Sequence, residues 1–242
     1  MRRRWFALFL MLVMPVALFA QTCAVPHPFD RTYVLGGTVA FVPGTGATCD
    51  LSTSVGATGA IATGAFAWYT AGGDRPTLRV SFRIDTSQLD ETTVVDGVEI
   101  LAVTSRHVAP GLFGNVLLHV GLVGGGPDAT SPYLSYLAYC GICSEQMIVG
   151  TNPPIANGDL LRFEIAIGAG ADGWVRYWRN ADFSDPPTYD TGALDNAALL
   201  GSRDVALGAF NVATRLASVG TALRFSEIES SDEVLFWNAF DE

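Results

Sequence analysis

The sequence predicts an all-β protein built as two packed antiparallel sheets. Apolar residues recur at every second position in segment after segment, the period of a strand with one buried face. Turn-forming residues interrupt these segments at roughly 8–12-residue intervals, the spacing of a sandwich or barrel. No long stretch carries the 3.6-residue period of an amphipathic helix, and no internal repeat points to a propeller or solenoid.

The clearest stretch runs from Asn157 to Asn180. Leu161, Phe163, Ile165 and Ile167 alternate with Arg162, Glu164 and Ala166. Gly168 to Gly173 form a glycine-rich turn. Val175 and Tyr177 then face inward, with Arg176 and Trp178 facing out. This pair reads as a central hairpin.

In chain order, residues 1–20 read as a signal peptide. Arg2–Arg4 supply the basic head, Trp5 to Phe19 the apolar run, and Ala20 a cleavage point before Gln21. The run falls short of the ~20 apolar residues of a spanning helix, and Pro15 interrupts it. Thr22 before Cys23 does not fit a lipoprotein anchor. The expected address is therefore secreted, or periplasmic and cell-envelope. No second long apolar run follows, so no membrane span is expected in the mature chain. Residues 21–242 read as one domain, with a strap at 21–59 and a core at 60–242.

In the strap, Tyr33–Leu35 and Val39–Val42 are short apolar runs, and the small residues of Gly44–Gly59 read as loop. Phe66–Tyr69 is aromatic, and Leu78, Val80, Phe82 and Ile84 alternate with polar neighbours. Asp96-Gly97 fits a two-residue hairpin turn. Val98–Val103 is apolar on both faces, as a central strand is. Val116, Leu118, Val120 and Leu122 alternate with Leu117, His119 and Gly121. Tyr133–Tyr139 and Met147–Val149 precede the hairpin; an Asp- and Pro-rich loop, Asp182–Thr191, follows it. One short helix is expected at Asp195–Leu200, then strands near Val205–Phe210, Ala222–Ile228 and Val234–Phe240. About a dozen strands result. The terminal segment, apolar on both parities, is expected to be a buried strand over 233–240 beside the strap. It also resembles a short acid–Phe–x–x–x–Phe–acid ending of some exported proteins of Gram-negative bacteria.

Charge narrows the partners. Every basic residue is Arg. With the three signal arginines set aside, 11 of 14 basic residues remain against 24 acidic ones, a net charge of −13 in place of −10. Such a surface repels nucleic acid and anionic membrane, and suits solubility, cations or neutral ligands. Composition does not specify an oligomeric state.

Four cysteines, Cys23, Cys49, Cys140 and Cys143, fall after the signal segment, an even count that in an exported chain implies disulfides. They allow three pairings. The local solution is Cys23–Cys49, contributing about 3.5 kcal/mol on the loop-entropy model, with Cys140–Cys143 contributing about 2. Redox and zinc readings of Cys140-Gly-Ile-Cys143 stay open beside a structural bridge.

The succession G-D-L-L-R-F-E-I, turn, W-V-R-Y-W-R-N, loop, V-A-L-G, loop, L-R-F-S-E-I resembles the second half of the concanavalin A-like, laminin-G-like superfamily. The likeness covers roughly residues 60–240. At Asn180 the chain departs from it, running into Ala181 and a long acidic loop. The resemblance implies a jelly-roll sandwich whose members bind glycans, bind proteins or hydrolyse polysaccharides.

Motifs with chemical meaning are few. Gly168-Ala-Gly170-Ala-Asp-Gly173 matches G-x-G-x-x-G, but the dinucleotide motif needs a helix next, and Trp174–Arg179 is strand-like. Glu227-Ile-Glu229 puts two acids on one strand face, as sugar hydrolysis requires. With Asp232 it approaches the E-x-D-x-x-E of the superfamily's polysaccharide-cleaving branch. Asp182, Asp185 and Asp190 offer hard oxygens to calcium without EF-hand spacing, so no cofactor is assigned. The better lead is Trp174, Arg176 and Trp178, aromatic rings beside a guanidinium on one strand face, an arrangement that meets a sugar's C–H face and hydroxyls. The competing reading buries that face under a loop. The sequence thus reads as an exported binding module for a glycan or surface polymer, with no catalytic residue assigned. A structural or interaction protein of the cell envelope is the alternative, and a polysaccharide-active hydrolase the third reading.

Overall fold

The computed structural model describes residues 29–44, 49–55, 63–71, 77–88, 98–105, 116–123, 133–139, 147–197, 203–212 and 221–230. Fourteen strands lie in these segments. The first seven are β1 (Arg31–Leu35), β2 (Gly37–Pro43), β3 (Cys49–Val55), β4 (Thr63–Ala71), β5 (Thr77–Asp85), β6 (Val98–Ser105) and β7 (Val116–Val123). The remainder are β8 (Tyr133–Tyr139), β9 (Met147–Pro154), β10 (Leu160–Ala166), β11 (Trp174–Arg179), β12 (Tyr189–Asp190), β13 (Arg203–Val212) and β14 (Thr221–Ser230). They form two seven-stranded sheets. The first has the order β1-β4-β13-β6-β7-β8-β9, the second β12-β11-β10-β5-β14-β3-β2. Every pairing in both is antiparallel. The expected all-β, two-sheet jelly-roll sandwich is the observed fold.

One core lies between the sheets. The second sheet sends in Leu78, Val80, Phe82 and Ile84 from β5, Leu161, Phe163 and Ile165 from β10, Tyr177 from β11 and Phe225 from β14. The first sheet answers with Ala67 and Tyr69, Leu101 and Val103, Leu118 and Val120, and Val205 and Leu207. Rings link neighbouring strands of the second sheet: Phe225 meets Phe82 edge-on at 5.6 Å, Phe82 stacks on Phe163 at 6.2 Å, and Phe163 on Tyr177 at 5.2 Å. β6, apolar on both parities, is the middle strand of the first sheet, as its sequence predicts.

The strap joins both layers. β1 borders the first sheet and β2 the second, with only Gly36 between them. Gly36 has φ 76°, and a Cβ on Gly37 would sit 2.2 Å from the Ser54 carbonyl oxygen, so the crossing needs both glycines. The Gly44–Gly59 stretch, expected as loop, contains β3. Its Leu51 and Thr53 are fully buried while Ser52 and Ser54 are not, so a strand with small outward residues hides its period in composition.

The hairpin forms as expected but lies toward one edge of its sheet, not at its centre, with only the two-residue β12 beyond it. Asn196, 1% exposed, pins its turn. The Asn196 Oδ1 accepts the Gly168 N–H at 2.8 Å, and its Nδ2 donates to the Ala166 carbonyl at 3.0 Å. Gly173 and Leu194 exchange two backbone bonds. The glycine motif therefore holds a side chain of this chain and leads into a strand, which removes the nucleotide reading. Of the helix expected at Asp195–Leu200, Ala197 enters a 3₁₀ turn, and 198–200 lie outside the described residues. Outside them too are the expected signal segment, the expected Asp96-Gly97 turn, Asp232 and the 233–240 segment. Cys49 is disulfide-bonded. Cys23, Cys140 and Cys143 fall outside the described residues, so their pairing stays an expectation.

Replacing Asn196 by Ala strands a buried donor and acceptor and is expected to cost about 2–4 kcal/mol, a Tm loss of roughly 5–15 °C for a domain this size. Gly170→Ala, at φ 65° with open space around it, is expected to cost about 1 kcal/mol. Thermal unfolding of both variants decides; equal losses contradict the assignment of Asn196 as the turn's anchor.

Candidate functional site

Two outward faces compete for a ligand. On the second sheet, Trp174, Arg176 and Trp178 share the outer face of β11, with Arg162 and Glu164 of β10 and Arg79, Ser81 and Arg83 of β5 across from them. Charge pairing engages most of this face. Arg79 Nε donates to Glu164 Oε2 at 2.6 Å, and Arg176 Nε to Asp190 Oδ2 at 2.8 Å. The Trp174 Nε1 donates to Glu164 Oε1 at 3.1 Å, while the Arg176 guanidinium sits 4.6 Å from the Trp174 ring centre. Trp178 points outward, as its parity requires, but is only 2% exposed. The loop between β11 and β12 covers it: Phe183 meets its ring edge-on at 5.2 Å, and its Nε1 donates to the Asp185 carbonyl at 2.8 Å. Trp178 anchors that loop, which leaves Trp174 and Arg176 as the accessible part of the predicted triad.

The loop aspartates are also engaged. Asp182 pairs with Arg162 at 2.9 Å and Asp190 with Arg176, while an Asp185 carboxylate oxygen accepts the Asp182 N–H at 2.8 Å. Among the described residues no group of three His, Cys, Asp or Glu side chains stands ready to hold a metal.

The acid pair of β14 is taken up in the same way. A bulge between Ser226 and Glu229 places Glu227 at φ 50°. Both Glu227 oxygens accept from Arg83, at 3.0 and 2.9 Å. That hydrogen bonding holds the Glu227 carboxyl below the ordinary glutamate range, despite a small opposing effect of burial. A general acid needs the opposite shift. Glu229 faces Ser81 Oγ at 3.5 Å.

The outer face of the first sheet has a different profile. One register row crosses five of its strands: Arg31, Trp68, Ala206, Ala102 and His119 stand opposite one another in turn. Arg31 lies over the Trp68 ring at 3.8 Å and donates to Thr70 Oγ1 at 2.6 Å; Thr70 in turn donates to Asp204 at 2.7 Å. Beside this pair, Tyr33 stacks on Phe66 at 5.1 Å and is 46% exposed. The middle of the face carries short side chains, Ala206 and Ala102, flanked by Gly208 and Gly121. Gly208 is obligatory: φ is 149°, and a Cβ would meet the Ala65 carbonyl at 2.5 Å. Beyond them His119 Nδ1 lies 3.4 Å from Glu99 Oε2. Trp68 and His119 are three strand spacings apart, about 14 Å. The result is a row with short side chains between an aromatic–guanidinium pair and an imidazole–carboxylate pair; Ala102 within it is 6% exposed. Sequence places Trp68 and His119 on their strand faces but does not bring them together, because their strands adjoin through β13, more than 80 residues downstream.

No protein-family model matches the chain, and no curated protein sequence does. Similar solved structures exist. The endo-β-1,4-glucuronan lyase of the fungus Trichoderma reesei matches with a TM-score of 0.60 at 12% identity, over 84% of this chain and 91% of that one. Alginate lyase Aly36B matches with a TM-score of 0.50 at 13% identity, over 73% and 77%. A mutant of the same enzyme in complex with alginate trisaccharide matches with a TM-score of 0.50 at 15% identity, over 73% and 78%. These likenesses show the fold: the chain shares its β-sandwich architecture with polysaccharide lyases.

The Glu227 geometry makes a pH prediction. A depressed carboxyl stabilises the fold above its unfolded value, and the contribution is lost as pH falls through the folded one. Carboxyl NMR titration should place Glu227 below the ordinary 4.5, and Arg83→Met should bring it back up. A midpoint above 4.5 in the unaltered protein would restore the general-acid reading.

Proposed function

We propose that the protein is an exported carbohydrate-binding β-sandwich that takes a neutral glycan across the outer face of its first sheet. The observation that carries this reading is the single row from Arg31 and Trp68, over Ala206 and Ala102, to His119. An aromatic ring beside a fixed guanidinium offers a sugar both an apolar face and donors. Short side chains stand between that pair and His119, and Ala102 is itself only 6% exposed, so a ligand would meet this row mainly through Trp68, Arg31 and Tyr33. The concanavalin A-like resemblance and the shared architecture with polysaccharide lyases support glycan as the ligand class.

Charge selects among glycans. Among the described residues the face sets Arg31 against Asp30, Asp204 and Glu99, with no surplus of cation for a polyanion. The acidic chain as a whole repels one. A neutral polymer avoids both costs. A second reading, eliminative cleavage of a polymer, draws on one observation: His119 is an imidazole oriented by a carboxylate on the same face. Such chemistry acts on uronates, which the local charge disfavours.

The second sheet remains the rival location, through Trp174 and Arg176. Binding of neutral oligosaccharides and of polyuronates, measured by calorimetry, separates these possibilities. Trp68→Ala is expected to weaken neutral glycan binding about tenfold, the worth of one good ring contact. The Trp174→Ala, Arg176→Ala double variant should bind normally. The reverse pattern moves the site to the second sheet. Binding of polyuronate with release of unsaturated products supports the cleavage reading, and no binding of any glycan supports a structural role in the envelope.

A further inference from the structure

We propose that a cavity of about 320 Å³ on the other sheet, where β10 and β11 meet the loop after Asn180, is a second and separate binding pocket for a single neutral sugar unit. Arg83, Arg162, Asp182 and Asp185 supply its polar groups, and Leu160 and Ala181 its aliphatic wall. The volume falls at the lower end of ligand pockets, which run from about 300 Å³. It suits a single ring with its hydroxyls better than a longer chain.

The chemistry of the lining excludes the other ligand classes. Two arginines stand against Asp182, Asp185 and the Glu227 that Arg83 holds, so no cationic charge is left over for an anion. Arg83 is held by both oxygens of Glu227 and by the Gly158 carbonyl at 2.6 Å. Arg162 is held by Asp182 and by the Ala181 carbonyl. An anion entering here must break one of these ion pairs. A cation finds no group of three carboxylate, His or Cys ligands among the described residues. A polyol needs neither. Its hydroxyls donate to the free lone pairs of the carboxylates and accept from guanidinium N–H groups, while each ion pair stays intact.

The pocket is also rigid before any ligand arrives. Asn180 holds φ 53° and closes the corner three times: its N–H donates to the Leu160 carbonyl, its Oδ1 accepts the Leu160 N–H, both at 2.8 Å, and its Nδ2 donates to Asp159 at 2.6 Å. The buried Trp178 ties down the far side of the loop through the Asp185 carbonyl. Preorganisation of this kind lowers the ordering cost of binding. A single sugar still has few atoms to contribute, so the affinity expected is in the millimolar range.

The test is NMR titration of the full exported chain with the methyl glycosides of glucose, galactose and mannose. At least one should produce saturable amide shifts at Leu160, Asn180 and Ala181. Ala181→Trp, which fills the cavity, and the near-isosteric Asp185→Asn should each abolish or weaken those shifts several-fold, with melting curves confirming that both fold. The Trp68→Ala variant should keep them, which separates this pocket from the glycan face of the first sheet. The absence of saturable shifts with all three glycosides overturns the proposal. So do shifts that survive both pocket variants, or that vanish in Trp68→Ala alone.

Discussion

The structure depends on one constraint: a strand that buries one residue must turn the next one outward. With a single core between two sheets, packing of the inward set decides the register, and the register decides what both outer faces display. The inward set is strong enough to dictate. Phe82, Phe163, Phe225 and Tyr177 are almost fully buried, and burial of each such side chain is worth about 1.5–3 kcal/mol. A slip of one residue in β10 would carry Arg162 and Glu164 into that core. The outer faces are therefore consequences of core packing, not independent designs.

The two faces solve the exposure of their residues in different ways. On the second sheet, long charged side chains lie down against one another. Glu164, itself buried, collects Arg79, Trp174 and the more distant Arg176, and the loop carrying Phe183 closes over Trp178. This is a braced surface whose donors and acceptors largely serve each other. On the first sheet, Ala206 and Gly208 of β13 and Ala102 of β6 stand at the middle of the row, while Arg31, Trp68, Thr70 and Asp204 gather on one side and Glu99 and His119 on the other. Short side chains at the centre of a sheet contribute little to stability, so their use there is better explained by something that lies across them.

Much of the fold was legible because alternation is local. The segments at Leu78–Asp85, Val98–Val103, Val116–Leu122, Tyr133–Tyr139 and Leu160–Arg179 each carried their own signal. β3 did not, because Ser52, Ser54 and Thr53 blur the contrast between inside and outside. The site was less legible for two physical reasons. Parity told correctly that Trp178 points outward, but not that a loop would cover it; the covering residue, Phe183, sits in an acidic stretch that reads as solvated. The row from Trp68 to His119 depends on pairings between strands distant in sequence, with β13 inserted between β4 and β6, and no local pattern encodes that order.

The central claim is that a glycan chain lies across the first sheet and not along the Trp174–Arg176 face of the second. Hydroxyl-radical footprinting with and without a bound neutral oligosaccharide tests it most directly, since aromatic side chains report their own cover. Trp68 and Tyr33 should oxidise more slowly in the complex, while Trp174, at the opposite end of β11 from the sugar-unit pocket, should oxidise at an unchanged rate. Protection of Trp174 with no change at Trp68 and Tyr33 would contradict the account.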